Sequence, residues 1–148
     1  GPAVIRNRLI DAADTEWVAF LDDDDLLDPH HLETLYRTAI TPILCDEGIR
    51  RLDVVYSWCR LDPAGAIGDQ FYNNPYDRDA LRSRGIFPIT ALARRQAVLD
   101  AGGFHPQDRY EDWSLWNRMA DNGCRFACVP EETWTYRFHG ADQRTRTA

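Results

Sequence analysis

The stretch Trp17 to Pro29, WVAFLDDDDLLDP, runs a short apolar segment straight into four consecutive aspartates. Trp17 to Leu21 is aromatic and partly β-branched, which predicts a buried strand. Asp22 to Asp25 then fall where that strand leaves its sheet. In open α/β sheets, ligands bind just beyond the carboxyl ends of strands. Neighbouring carboxylates repel one another: at an effective dielectric of about 20, two charges ~5 Å apart cost about 3 kcal/mol. A chain that keeps such a cluster at a strand end is expected to balance it with a cation.

Alternate residues of an extended chain face the same way, ~6.6 Å apart. Asp22 and Asp24 can therefore look into one cleft, but both ligate a single ion only if the chain bends. One direct carboxylate, with the other acting through water or on a ligand hydroxyl, is easier to build. Oxygen-only ligation with retained waters suits Mg²⁺ or Mn²⁺. Asp28 suits an N-cap and Pro29 the first position of a helix running to about Ile40, whose positive end would lie beside the acids. Two plainer readings compete. One is a solvated turn. The other is a calcium loop, because Asp22, Asp24, Asp28 and Glu33 occupy positions one, three, seven and twelve of an EF-hand frame. Leu26 and Leu27 at positions five and six, and a strand where a helix should precede, argue against it.

With 148 residues the chain can form one domain that buries about 70% of its unfolded surface. A net charge of −7 argues against nucleic acid as a partner. All 17 basic residues are arginine, so Schiff-base chemistry and a P-loop lysine are excluded. No run is long enough for a transmembrane segment, and no secretory signal is visible. Cys45, Cys59, Cys124 and Cys128 form no CxxC pair. They read as buried thiols rather than a zinc site, and the expected location is cytoplasmic.

In chain order, Pro2 suits the first turn of a helix to about Ala13, with Val4, Ile5, Leu9, Ala12 and Ala13 at helical spacing. Arg6, Asn7 and Arg8 interrupt it. Arg6 is either a surface charge or a contact to a ligand phosphate or nearby carboxylates. His30 and His31 are expected at the surface of the helix after the acids. Leu52 to Leu61 reads as a strand, Asp62 to Gly65 as a turn, and 66–88 as an excursion of the kind that shapes a substrate cleft. A strand at Ile89–Ala93, a helix at Arg95–Ala101 closed by Gly102-Gly103, and a helix EDWSLWNRMADNG follow. Two short strands, Cys124–Val129 and Thr133–Phe138, precede a polar tail over 140–148 that is expected to fray.

Glu111 and Asp112 open the second of those helices. Acids are favoured there by the helix dipole, which alone could explain them. Trp113 and Trp116 stand beside them as walls for a ring-shaped ligand or as core.

The chain resembles the inverting family-two glycosyltransferases of the GT-A fold. The resemblance is carried by GPAVIRNRLIDAADTEWVAFLDDDDLLDPHHLETL, DVVYSW, ALARRQAVLDAGGF, YEDWSLWNRMADNG and VPEETWTYRFHG. These stretches follow the family's order along most of the chain. The resemblance implies an α/β fold, a GT-A-like mixed sheet flanked by helices, forming a single partial domain over 1–148. It implies transfer of a sugar from a nucleotide-diphosphate sugar donor to an acceptor hydroxyl, with inversion and with Mn²⁺ or Mg²⁺. Asp22 and Asp24 match the family's DxD: Asp24 as main metal carboxylate, Asp22 on ribose or a metal water, and Asp25 as accessory acid. Asp112 matches the presumed catalytic base and Glu111 its partner. His139 matches a histidine that approaches metal and diphosphate in some relatives, and Arg137 could contact phosphate.

Family members begin with strands that form much of the base pocket. This sequence starts at the helix before the DxD strand, so base recognition is left unassigned. An uncovered sheet edge and apolar patch are then expected to drive assembly into a homo-oligomer. Rival readings are a metal-dependent nucleotidyl- or phosphotransferase, and a non-catalytic binding module that retains the metal loop.

Overall fold

The computed structural model describes residues 1–64 and 72–138. Its centre is β5 (Val54–Asp62), whose first residues Val54, Val55 and Tyr56 are all fully buried. A strand buried on both faces reads as a continuous apolar run, which is what VVY supplies. Around it stand α1 (Pro2–Ala12), β1 (Trp17–Ala19), β2 (Leu26–Leu27), α2 (His31–Ile40), β3 (Ile43–Cys45), β4 (Gly48–Arg50), α3 (Arg78–Ser83), β6 (Ala91–Arg94), α4 (Arg95–Asp100), α5 (Glu111–Asp121) and β7 (Phe126–Arg137).

The main sheet has the order β1-β6-β5-β7-β2. Only the β5–β7 pair is parallel; the other three pairs are antiparallel. The sheet is therefore mixed. The chain reaches β7 through α4 and α5, as a parallel connection requires. Successive residues of β5 face opposite sides. Val54 and Tyr56 join Ala3 and Ile10 of α1, Leu81 of α3, Val98 of α4, and Leu115, Trp116 and Met119 of α5 in one core. Val55 joins Leu35 and Ala39 of α2, with Leu92, on the other face.

Several local expectations are corrected. Asp28 does not cap α2, which starts at His31 with His30 in the cap position and no side-chain cap bond. The Asp28 carboxylate is instead an ion-pair partner of Arg60 on β5. His31 is not a surface residue: it is 2% exposed, and its Nδ1 lies 2.7 Å from Thr133 Oγ1, which in turn meets Ser57 Oγ at 2.6 Å. Burial pushes its pKa below the ordinary histidine value. The two expected C-terminal strands are one, β7, which changes register against β5 around Trp58. Pro130 lies in that irregular stretch, where a missing N–H does least harm. The hairpin β3–β4 was not legible, because Thr41-Pro42 masks its start. Trp116 is fully buried and belongs to the core.

Two features hold α1 against the loop that leads to α5. The Asn7 side chain donates to Phe104 O at 2.8 Å and accepts from Phe104 N at 2.8 Å. Gly103 lies beside this clamp at φ +66, where a Cβ would stand 2.6 Å from Asn7 Oδ1. Only glycine satisfies both the left-handed backbone and the close approach.

Among the described residues β1 has no neighbour on its outer side. On α1, Ile5 and Leu9 are 59% and 64% exposed. Among the described residues β1 is thus an edge strand, and Ile5 and Leu9 are exposed apolar side chains.

Candidate active site

The four aspartates follow β1 in a tight bend. Asp25 N–H donates to Asp22 O at 3.1 Å, so the chain turns back on itself between them. An extended chain would hold Asp22 and Asp24 too far apart for one ion; the bend removes that objection. Carboxylate oxygens of Asp22, Asp24 and Asp25 all lie within 4.8 Å of one another. Three hard oxygen donors at this spacing fit a divalent cation that keeps part of its water shell.

β7 braces this turn. The Arg137 backbone N–H donates to Asp25 Oδ1 at 3.1 Å, and Arg137 Nε donates to Asp24 O at 2.5 Å. Asp25 is 6% exposed. Burial, with the Asp24 and Asp22 charges adding to it, pushes its carboxyl up to about 7, against the pull of the Arg137 hydrogen bond. With no cation bound, native Asp25 therefore holds its proton well above the ordinary value of 3.8. The native state then binds more protons than the unfolded chain, and this contribution to stability is lost as pH rises through that window. In chelator, Asp25→Asn should gain on the wild type by on the order of 2–4 kcal/mol between about pH 4 and 7. Parallel denaturation curves at both pH values would show that the burial of this acid has been misjudged.

Across the cavity stands the head of α5. Glu111 and Asp112 occupy its first turn, and Glu111, Leu115, Trp116 and Met119 form its buried stripe. Glu111 is 8% exposed and accepts from Arg6 Nη1 at 2.6 Å, while Arg6 Nη2 donates to Asp22 Oδ1 at 2.5 Å. One guanidinium on α1 thus ties the acidic turn to the acidic helix. Its fork suits two carboxylates at once, and the Phe104 ring packs 5.4 Å away. The break that Arg6 and Asn7 make in the apolar pattern of α1 is where that helix holds the site.

Among the described residues Asp112 makes no such ion pair. Its Oδ1 accepts from Trp113 N at 2.8 Å. Burial raises its pKa, against the backbone hydrogen bonds at Trp113 and at its own N–H and against the Arg6 charge, which lowers it from a distance. An acid so placed is more basic than an ordinary aspartate and faces open space.

That space is a cavity of about 550 Å³ bounded by the aspartate turn, Arg6, Glu111 and Asp112. Its remaining wall is largely aromatic, with Tyr72, Phe87, Tyr110, Trp113 and Tyr136. The Trp113 ring is held by Nε1 donating to Leu81 O at 2.5 Å. Sequence reasoning anticipated the acids, Arg6 and Trp113. It did not single out Tyr72, Phe87 or Tyr136, which arrive from distant segments. The structure gathers Asp22, Asp24, Asp25, Glu111, Asp112, Arg6 and Arg137 around one cavity or against its walls. His139 and the tail 140–148 lie outside the described residues.

A mixed sheet with an acidic turn beyond one strand and an acid-headed helix facing it across the cleft is the architecture of GT-A nucleotide-diphospho-sugar transferases. The chain belongs to the glycosyltransferase-like family 2, whose model matches residues 2–147. In fold it is similar to S. aureus TarS. Against TarS 1-349 in complex with UDP-GlcNAc, the TM-score is 0.71 at 15% identity over 98% of this chain and 41% of that one. Against the same TarS segment with UDP, the TM-score is 0.64 at 18% identity over 93% and 40%. The chain spans 24% of a longer TarS structure, with a TM-score of 0.65 at 16% identity. No curated protein sequence matches it. No described helix is long and apolar enough to cross a membrane.

Proposed function

We propose that the chain carries the metal and catalytic half of a glycosyltransferase site. It transfers a sugar from a nucleotide-diphosphate donor to an acceptor hydroxyl, with inversion at the anomeric carbon. The observation that carries this reading is one cavity with a three-aspartate turn on one side and, on the other, an aspartate whose pKa burial raises. Asp24 and Asp22, with Asp25 behind them, would hold Mn²⁺ or Mg²⁺. His139 would join them from beyond β7. When bound, such an ion neutralises charge on the departing diphosphate as a Lewis acid.

The remaining work falls to the chain itself. Asp112 accepts the proton of the attacking acceptor hydroxyl. Glu111, held by Arg6, fixes the angle of the α5 head. Arg6 and Arg137 border the acidic turn and would meet the donor phosphates, Arg6 exchanging part of its contact with Asp22 for them. The aromatic wall orients the sugar ring, and alignment of both partners lowers the entropic barrier. UDP-GlcNAc, held by TarS in its complex, is the first donor to test. Four unpaired cysteines suit a cytoplasmic setting.

The test is thermal. Mn²⁺ with UDP should raise the melting temperature by linkage, since both bind the native state. At 100-fold excess over Kd the gain is about 2.7 kcal/mol. Asp24→Ala should remove this increment and leave the unliganded melting temperature within about 2 °C, since a half-buried turn carboxylate among like charges is being removed. An undiminished increment in that variant would rule the acidic turn out as the cation site.

We further propose that the isolated chain self-associates along the open edge of β1, through Ile5 and Leu9. Light scattering should show a dimer or larger species that Leu9→Glu disperses. A monodisperse monomer at 100 µM protein, on the order of ordinary dimer affinities, would contradict it.

A further inference from the structure

We propose that Asn73 is a positioning residue, which fixes Tyr72 as the wall of the cavity between the aspartate turn and Asp112. The inference rests on the sugar-transfer reading for its functional consequence, but its geometry stands apart from that reading. β6 pairs with β5 only from Val54 to Tyr56. Beyond Tyr56, β5 continues to Asp62 with β7 as its one strand neighbour among the described residues. Backbone groups on its far side are then left without a strand partner, an edge that proteins must cover.

Asn73 covers it. Cys59 N–H donates to Asn73 Oδ1 at 2.8 Å, and Asn73 Nδ2 donates to Cys59 O at 3.0 Å. A side-chain amide carries one acceptor and a donor pair in the same order as a peptide group, so it can mimic a paired strand residue. A second tie follows at once: Tyr56 Oη donates to Asn74 O at 2.9 Å. The incoming chain is thereby pinned to the central strand at two successive residues.

Tyr72 immediately precedes this anchor. It is 8% exposed and packs with Cys59 and Trp134, and its ring meets Tyr136 edge-on at 5.5 Å. It lines the cavity together with the aspartate turn and Asp112. Burial raises its pKa, and the Tyr136 hydroxyl and the Asp112 and Asp25 carboxylates push the same way. The phenol therefore remains a neutral donor throughout the working pH range, close to both acidic walls. A sugar ring in the cavity meets a fixed aromatic face whose position depends on one amide pair.

Asn73→Ala removes both bonds. We expect faster hydrogen exchange at the Cys59 amide and loss of NMR contacts between the Tyr72 and Tyr136 rings. With Mn²⁺ and UDP-GlcNAc, kcat/KM for UDP release should fall about 10-fold or more. Tyr72→Ala should fall equally, and the double variant no further, because both remove the same wall. Persistence of the ring contacts in Asn73→Ala, or multiplicative losses in the double variant, would overturn the proposal. Asn73→Asp keeps the acceptor for Cys59 N–H but not the donor, and it carries the same test if Asn73→Ala does not fold. If the wild type releases no UDP, it is the sugar-transfer reading that fails. The ring contacts and amide exchange still decide the role of Asn73.

Discussion

Asp112→Asn should reduce turnover by roughly 100-fold or more while leaving cation and nucleotide binding nearly intact. The replacement keeps the size of the side chain and its hydrogen bond from Trp113 N. It removes only the capacity to take a proton. The same residue should set the acid limb of the pH profile. Burial holds its pKa above the ordinary range, and the base works only when ionised. kcat/KM should therefore rise with pH through a value above the ~3.9 of a free aspartate. That limb should vanish in Asp112→Asn. If Asp112→Asn turns over normally while Glu111→Gln is dead, the two carboxylates have exchanged roles. The geometry speaks against that exchange, because Glu111 is already held by Arg6 at 2.6 Å.

Arg6→Ala should be the most destabilising single change at the site, by about 2–4 kcal/mol. The Arg6 side chain is 16% exposed and that of Glu111 is 10% exposed, so the pair is poorly screened. Removing the guanidinium leaves Glu111 buried without that partner and facing Asp22 across the gap it bridged. Replacing both partners by apolar residues avoids the uncompensated charge. The double variant Arg6→Leu with Glu111→Leu should therefore recover most of the loss. Arg6→Lys should rescue only in part, because an ammonium cannot serve two carboxylates as a planar fork does. Urea denaturation of the wild type and these three variants checks this. A loss below about 0.5 kcal/mol for Arg6→Ala would put the pair in the class of exposed surface bridges.

What the sequence disclosed and withheld follows a physical division. The acidic turn and the acid-headed helix were legible because each is a contiguous string whose chemistry is local. The helices α2 and α5 were legible because their apolar spacing repeats at a helical period, and β5 as a run of strong strand formers. Helix α1 was legible as a helix, but most of the apolar positions read as its stripe are exposed, while Ala3 and Ile10 pack inward. The unity of β7 was not, since the chain continues as one strand through a stretch that alone reads as a break. The burial of His31 depends on Thr133 and Ser57, far away in sequence. Asp28 looked like a cap because caps are local, but Arg60 reaches it from β5. The Asn7 and Asn73 clamps carry no periodic signal. Each is a polar side chain standing in for a missing strand partner or fastening a loop, and only the assembled sheet shows the need. Arg6 was half legible, since a charge that interrupts an amphipathic stripe marks a helix with a second duty.

The central claim concerns which bond of the donor is cleaved. The most direct measurement is product analysis after incubation with UDP-GlcNAc and Mn²⁺, with Asp112→Asn and a chelated sample alongside. Sugar transfer or slow donor hydrolysis predicts release of UDP, abolished by chelation and reduced roughly 100-fold or more in Asp112→Asn. Release of pyrophosphate instead would identify nucleotidyl transfer, and no product from any sample would leave a binding module; either result contradicts the account.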